Sequence, residues 1–266
     1  MSSQFPGLPS IVVLAFCLAF CPQNADAAGA DPDGRLYLPT DSAMADVDNA
    51  ISRAGDAGKR GLVVLGANWC HDSRALAARL NESPLAEVVE DNYELVFVDV
   101  GFYEHGTDVL QAFDVPQLYA TPTVLIVDPS TRQLVDNEER HLWRNADRVD
   151  MKTSVEFFEK WATEVVDAPE TPVLQRIYAE IGDFERQLAA RVAAGYAIVG
   201  PKLRARTEGN SPEDFDASWD ELASLRMAIP GAMKELRDEA RRRVVAGEED
   251  IVLEFPEFPL LTWEAP

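Results

Sequence analysis

The sequence predicts an α/β body followed by a helical extension. Three short apolar runs carry the first half of that reading: Leu62 to Ala67 (LVVLGA), Tyr93 to Val100 (YELVFVDV) and Thr123 to Asp128 (TVLIVD). Runs that are continuous rather than alternating mark strands buried on both faces. Helix-length stretches separate them, which suits a sheet with parallel members. Beyond Asp167-Ala168-Pro169 no strand-like run appears until the last few residues. There the apolar residues recur at three- and four-residue spacing instead.

Taken in order, Ala28 to Pro39 is rich in Gly, Asp and Pro. Asp41 or Ser42 then caps a helix running to about Ala57, with Gly58 as its stop. The first strand follows. Cys70 to Leu80 reads as a helix bent or broken around Pro84 and continuing to Glu90. After the second strand, Thr107 to Phe113 is helical and leads into the third. Pro129-Ser130-Thr131 is a turn, Gln133 to Val135 begins an antiparallel return strand, and Ser154 to Val165 forms an amphipathic helix. In the extension, Thr171-Pro172 is a cap followed by proline at the first helical position. Leu174, Ile177, Ile181, Phe184 and Leu188 form one stripe. A second helix is expected from Ser211, and a third from Gly231 to Ala246. Phe255 to Pro266 is expected to lie extended across the surface.

At the N-terminus, Ile11 to Cys21 is an uninterrupted apolar run. It is shorter than the about 20 residues needed to span a bilayer, but fits the hydrophobic region of a secretory signal. Ala25-Asp26-Ala27 supplies a small-x-small cleavage pattern. The expected mature chain starts near Ala28 and is periplasmic or secreted, without stable membrane insertion. Cleavage removes Cys17 and Cys21, so Cys70 remains as the one thiol in a compartment where disulfides normally form.

The 266 residues carry 24 Lys+Arg against 46 Asp+Glu, a formal charge of −22. So acidic a surface repels phosphate and argues against nucleic acid as a partner.

The chemistry concentrates in Asn68-Trp69-Cys70-His71-Asp72-Ser73, which follows a buried strand and opens a helix. A cysteine there meets the partial positive charge and free N–H groups of a helix N-terminus, conditions that favour thiolate. A second element, Thr121-Pro122-Thr123, immediately precedes the third strand. Together the two resemble the thioredoxin superfamily, in which a Trp-Cys-x-x-Cys motif lies opposite a cis-proline loop. The resemblance implies a mixed sheet flanked by helices over residues 41–166, after a signal peptide at 1–27 and a linker at 28–40, with the helical extension at 167–266. It places Cys70 as the exposed nucleophile, Trp69 as its flanking aromatic and Pro122 as the cis-proline. It makes Thr121 and Pro122 the loop that pairs through its backbone with extended peptides.

Departures from the family pattern limit the activity it implies. Ser73 stands at the resolving-cysteine position, and Val64 replaces the buried acid six residues before Cys70. Without a second thiol, a mixed disulfide is cleared only by an external one. The expected catalytic set is Cys70, Ser73, Trp69 and His71. Adjacent helical residues point about 100° apart, so His71 is poorly placed to take the Cys70 proton. His71, His105 and His141 lack metal-ligand spacing, and His105 and His141 read as surface residues. No cofactor is expected beyond glutathione as a thiol co-substrate. Two functions remain: monothiol exchange with a protein, peptide or glutathione thiol, or a redox-inactive module holding a peptide or partner at the Pro122 loop.

Overall fold

In the computed structural model, which describes residues 34–135, 138–165 and 171–265, the first apolar run is the middle strand of a three-stranded sheet. This strand, β1 (Arg60–Gly66), pairs in parallel with β2 (Tyr93–Asp99), setting Leu62 opposite Leu95 and Gly66 opposite Asp99. On its other side β3 (Thr123–Val127) runs antiparallel, with Leu65 opposite Thr123. The sheet is therefore mixed. The expected signal run, its cleavage site, the Asp167–Pro169 boundary and Pro266 fall outside the described residues.

Alternation along the strands divides the core. Val63, Leu65, Val98, Leu125 and Val127 face one apolar cluster, shared with α1 (Ala43–Ala57) and α4 (Thr107–Ala112). Leu62, Val64, Val124 and Ile126 face the other, shared with α2 (His71–Leu80), α3 (Leu85–Asn92) and α5 (Met151–Thr163). Ser42 occupies the cap position of α1 without a side-chain cap bond, and Gly58 ends that helix at φ 67°. Such a φ favours glycine, which has no Cβ to clash.

The helix expected to bend or break around Pro84 is broken into α2 and α3, with Pro84 at the cap position of α3 and a cis Ser83–Pro84 bond. Other elements differ from expectation. The return strand amounts to one antiparallel bridge between Val127 and Leu134. Tyr37, in the segment read as linker, is fully buried in the second cluster, and Asn68 holds it there by donating Nδ2–H to its carbonyl at 2.6 Å.

The extension is a hairpin of two long helices, α6 (Pro172–Thr207) and α7 (Phe215–Val245). Thr171 caps α6, its hydroxyl accepting from Leu174 N at 3.2 Å. Where two helices were expected beyond Ser211, α7 runs unbroken through Pro230. A proline inside a helix costs about 3 kcal/mol. Leu222, Leu225, Ile229, Met233, Leu236 and Ala240 are buried on both sides of it. At roughly 1.5–3 kcal/mol for each large side chain, that stripe outweighs the cost. The chain end is anchored rather than loose. Ile251, Leu253 and Leu261 are buried, and Arg191 binds Glu264 at 2.7 Å. No described helix is long and apolar enough to cross a membrane.

Candidate active site

Cys70 occupies the cap position of α2, just beyond the central strand. Its Sγ–H donates to the carbonyl of Thr121 at 3.1 Å, and the Thr121–Pro122 bond is cis. The two motifs, fifty-one residues apart, thus meet at one sulfur–oxygen contact. Ser73 lies behind, fully buried, with its Oγ accepting from Ala67 N at 3.3 Å and its carbonyl accepting from the Tyr37 hydroxyl at 3.1 Å.

The expected exposed nucleophile is in fact covered: Cys70 is 8% exposed. The cover comes from two places. The loop after β2 turns sharply, with Gly101 at φ 57° and Tyr103 at φ 77°. A bulky residue in that region is strained unless its surroundings hold it. Tyr103 is held by stacking on Tyr196 of α6, ring centroids 3.8 Å apart and 6° from parallel. Trp69 donates Nε1–H to Gly101 O at 2.7 Å and packs edge-on against Trp219 of α7. Arg226, also on α7 and 9% exposed, lies over Trp219 and donates Nη1–H to Tyr119 O at 2.8 Å. Its charge interacts with Tyr103, Tyr196 and Cys70, and among the described residues it has no carboxylate partner.

His71 is turned outward. It is 69% exposed in its side chain, and its Nε2 lies 3.1 Å from Asp72 and 3.7 Å from Asp147. Asp72, in the first turn of α2, is buried and accepts from Asp147 N at 3.1 Å. That burial pushes its carboxyl above the ordinary carboxylate range. His71, Asp72 and Asp147 offer three ligand atoms within 4.8 Å of one another, a grouping hidden from spacing by the distance to Asp147. Exposed acidic groups commonly gather so without an ion. His105 is at the surface as expected, near Asp99. His141 is half-buried, and desolvation, with Arg140, Arg144 and Arg237 around it, holds its imidazole down to about 3. It lines a cavity between residues 139–153 and α7, and a smaller cleft shared with Tyr119, Ala120 and Pro122.

A family model described as thioredoxin-like matches residues 42–129, the stretch that holds both motifs and all three strands. The chain carries a thioredoxin-like domain. A solved disulphide isomerase from Xylella fastidiosa Temecula1 is similar to it at 27% identity, covering 48% of this chain and 100% of that one, with a TM-score of 0.44. No curated protein matches the chain. The match ends before the hairpin, so of the residues that cover the site Tyr103 lies inside the matched region, while Tyr196, Trp219 and Arg226 lie outside it.

Sequence reasoning missed Tyr37, Phe102, Tyr103, Tyr196, Trp219 and Arg226. Two signals were present. Phe102-Tyr103 directly follows the carboxyl end of a parallel strand, where open α/β sheets place their sites. Arg226 interrupts an otherwise apolar stripe between Leu222 and Ile229, and a charge at such a position needs a buried partner.

Burial also raises the phenols of Tyr37, Tyr119 and Tyr196 well above the ordinary value of 10.0. The folded chain keeps these protons while the unfolded chain releases them. Their contribution to stability is therefore complete below pH 10.0 and declines as pH rises beyond it. Urea midpoints measured across that range are expected to fall above pH 10.0, and to fall less in Tyr37→Phe. Tyrosinate absorbance from these residues at the ordinary value in a still-folded chain would contradict this.

Proposed function

We propose that the protein is an exported monothiol exchange protein, in which Cys70 forms one mixed disulfide with an external thiol or disulfide partner, glutathione among them. The observation that carries this reading is the sulfur of Cys70 at the start of α2, set on the Thr121 carbonyl beside cis Pro122. Export rests on the apolar run Ile11 to Cys21 and the Ala25-Asp26-Ala27 pattern.

The step is simple to balance. The Cys70 thiol gives up its proton to solvent, and the thiolate attacks one sulfur of R–S–S–R′. A bond forms between Cys70 and the R-bearing sulfur while the S–S bond breaks, and R′–S⁻ leaves with the electron pair. Cys70 sulfur is oxidised, R′ sulfur is reduced, and the leaving thiolate regains a proton from solvent. With Ser73 at the resolving position, the mixed disulfide then waits for a second external thiol.

The test uses the full-length chain carrying Cys17→Ser and Cys21→Ser, so that Cys70 is its one thiol. Incubation with glutathione disulfide is expected to add one glutathionyl group by mass spectrometry, and none when Cys70→Ser is added. A native chain that acquires no adduct, while the urea-unfolded chain does, ends the exchange reading.

A further inference from the structure

The cis-proline loop is the surface on which an extended peptide would pair, through the carbonyls that lead into Pro122. In this protein those carbonyls are already used. The Tyr196 hydroxyl donates to Leu118 O at 2.6 Å, and Arg226 to Tyr119 O at 2.8 Å. The Thr123 hydroxyl donates to Ala120 O at 2.7 Å, and Cys70 to Thr121 O at 3.1 Å. A carbonyl has two lone pairs, but Leu118, Tyr119, Thr121 and Pro122 are all buried, and the space beside Tyr119, Ala120 and Pro122 is a narrow cleft walled by His141 and Glu185.

The hairpin that supplies Tyr196 and Arg226 is a fixed wall rather than a loose flap. α6 passes so close to the loop after β2 that a Cβ added at Gly200 would lie 2.6 Å from the backbone oxygen of Phe102. α6 and α7 are equally tight, since a Cβ at Gly195 would meet Leu222 at 2.5 Å. Contacts this short exist only because glycine has no side chain. Tyr119 adds a further tie, its hydroxyl donating to Glu185 of α6 at 3.2 Å, with Arg237 of α7 on the same carboxylate at 3.0 Å. Beside Trp69, by contrast, a cavity of about 450 Å³ opens between Asn68, Gly101, Phe102 and Arg204. That volume is within the range of small-molecule sites.

We propose that Tyr196 and Arg226 determine the specificity of the thiol, closing the cis-proline loop to extended polypeptides and leaving Cys70 to low-molecular-weight disulfides that approach from the Trp69 side. This rests on the exchange reading above. It adds the substrate class, and it gives the hairpin a role beyond packing. The chemistry is the same disulfide exchange, with the small disulfide as oxidant and its leaving thiolate as the reduced product. A small disulfide needs only a line of attack on one sulfur, whereas a polypeptide must also satisfy its backbone against the loop.

Two probes with one leaving group separate these cases: the mixed 2-thiopyridyl disulfide of cysteamine, and the same disulfide on the central cysteine of a flexible peptide of a dozen or so residues. Each reaction with the full-length Cys17→Ser, Cys21→Ser chain releases thiopyridone, read by absorbance. The small probe is expected to react at least about tenfold faster, the scale of one to two lost hydrogen bonds. In Tyr196→Phe with Arg226→Gln the gap is expected to shrink to about threefold or less through a faster peptide reaction. Gly200→Ala, which must push α6 off Phe102, is expected to narrow it in the same direction and decides the matter if circular dichroism shows the double variant unfolded. Equal rates in the unsubstituted hairpin, or a gap unchanged in the folded variants, overturn the specificity proposal and leave exchange standing. No reaction with either probe overturns exchange itself, and the specificity proposal with it.

Discussion

A chain ended at Val165 is expected to aggregate and to lose its cooperative thermal transition. Removing the hairpin and tail takes Tyr196, Trp219 and Arg226 away from the body. It uncovers Trp69, Phe102, Tyr103, Leu118 and Tyr119, all of them packed in the cluster that the hairpin completes. A fully buried large apolar side chain contributes about 1.5–3 kcal/mol. Five that lose even half of that approach the about 5–15 kcal/mol by which domains are stable. Tyr103 loses more than area, because the ring stacked on it also offsets its left-handed backbone. Size-exclusion chromatography and binding of an apolar dye read the outcome directly. A monomeric truncated chain melting where the full chain melts would show the hairpin to be a passenger.

The second large effect is expected from Ser73→Cys. In the Cys17→Ser, Cys21→Ser chain a glutathionyl adduct on Cys70 has no second thiol in the chain to displace it. Residues three apart on a helix face one another, and a disulfide requires Cα atoms about 4.4–6.8 Å apart. A thiol at position 73 is thus within reach of Cys70 without backbone movement. Intramolecular groups so placed act at effective concentrations on the order of 10⁵ M or more. The adduct is therefore expected to drop from nearly stoichiometric to below about one tenth, replaced by a disulfide between Cys70 and the introduced cysteine. The change weakens the bond that Ser73 Oγ accepts from Ala67 N, so a stability loss of about 1–3 kcal/mol accompanies it. Persistence of the adduct at the native level would mean that position 73 does not face the sulfur.

Much of the domain was legible because its signals are local. Leu62 to Ala67, Tyr93 to Val100 and Thr123 to Asp128 are strands because continuous apolar runs of that length suit a sheet covered on both faces. Thr171-Pro172 starts α6 because a hydroxyl that accepts from N3 and a proline that lacks only an unused N–H both fit a first turn. The Gln133 to Val135 return strand was overcalled because three residues beside a turn have too little length for periodicity to separate a strand from a single bridge. The break expected between the second and third helices of the extension is absent at Pro230. The local preference of proline to end a helix lost to an apolar stripe that continues on both sides.

By itself the sequence determined three strands in order, a cysteine at a helix start after the first, a proline loop before the third and an amphipathic helical extension, read as three helices where the structure has two. Only the tertiary structure decided that the cysteine is covered and by what. Tyr37 reaches the Ser73 carbonyl from 36 residues away, and Arg226 reaches the Pro122 loop across 107. A repeating apolar pattern records which face of an element turns from water, because burial repeats with the element's own period. It does not record which distant element supplies the partner for that face. That choice is made when the faces pack, and here it placed a guanidinium and a phenol on the carbonyls that lead into Pro122.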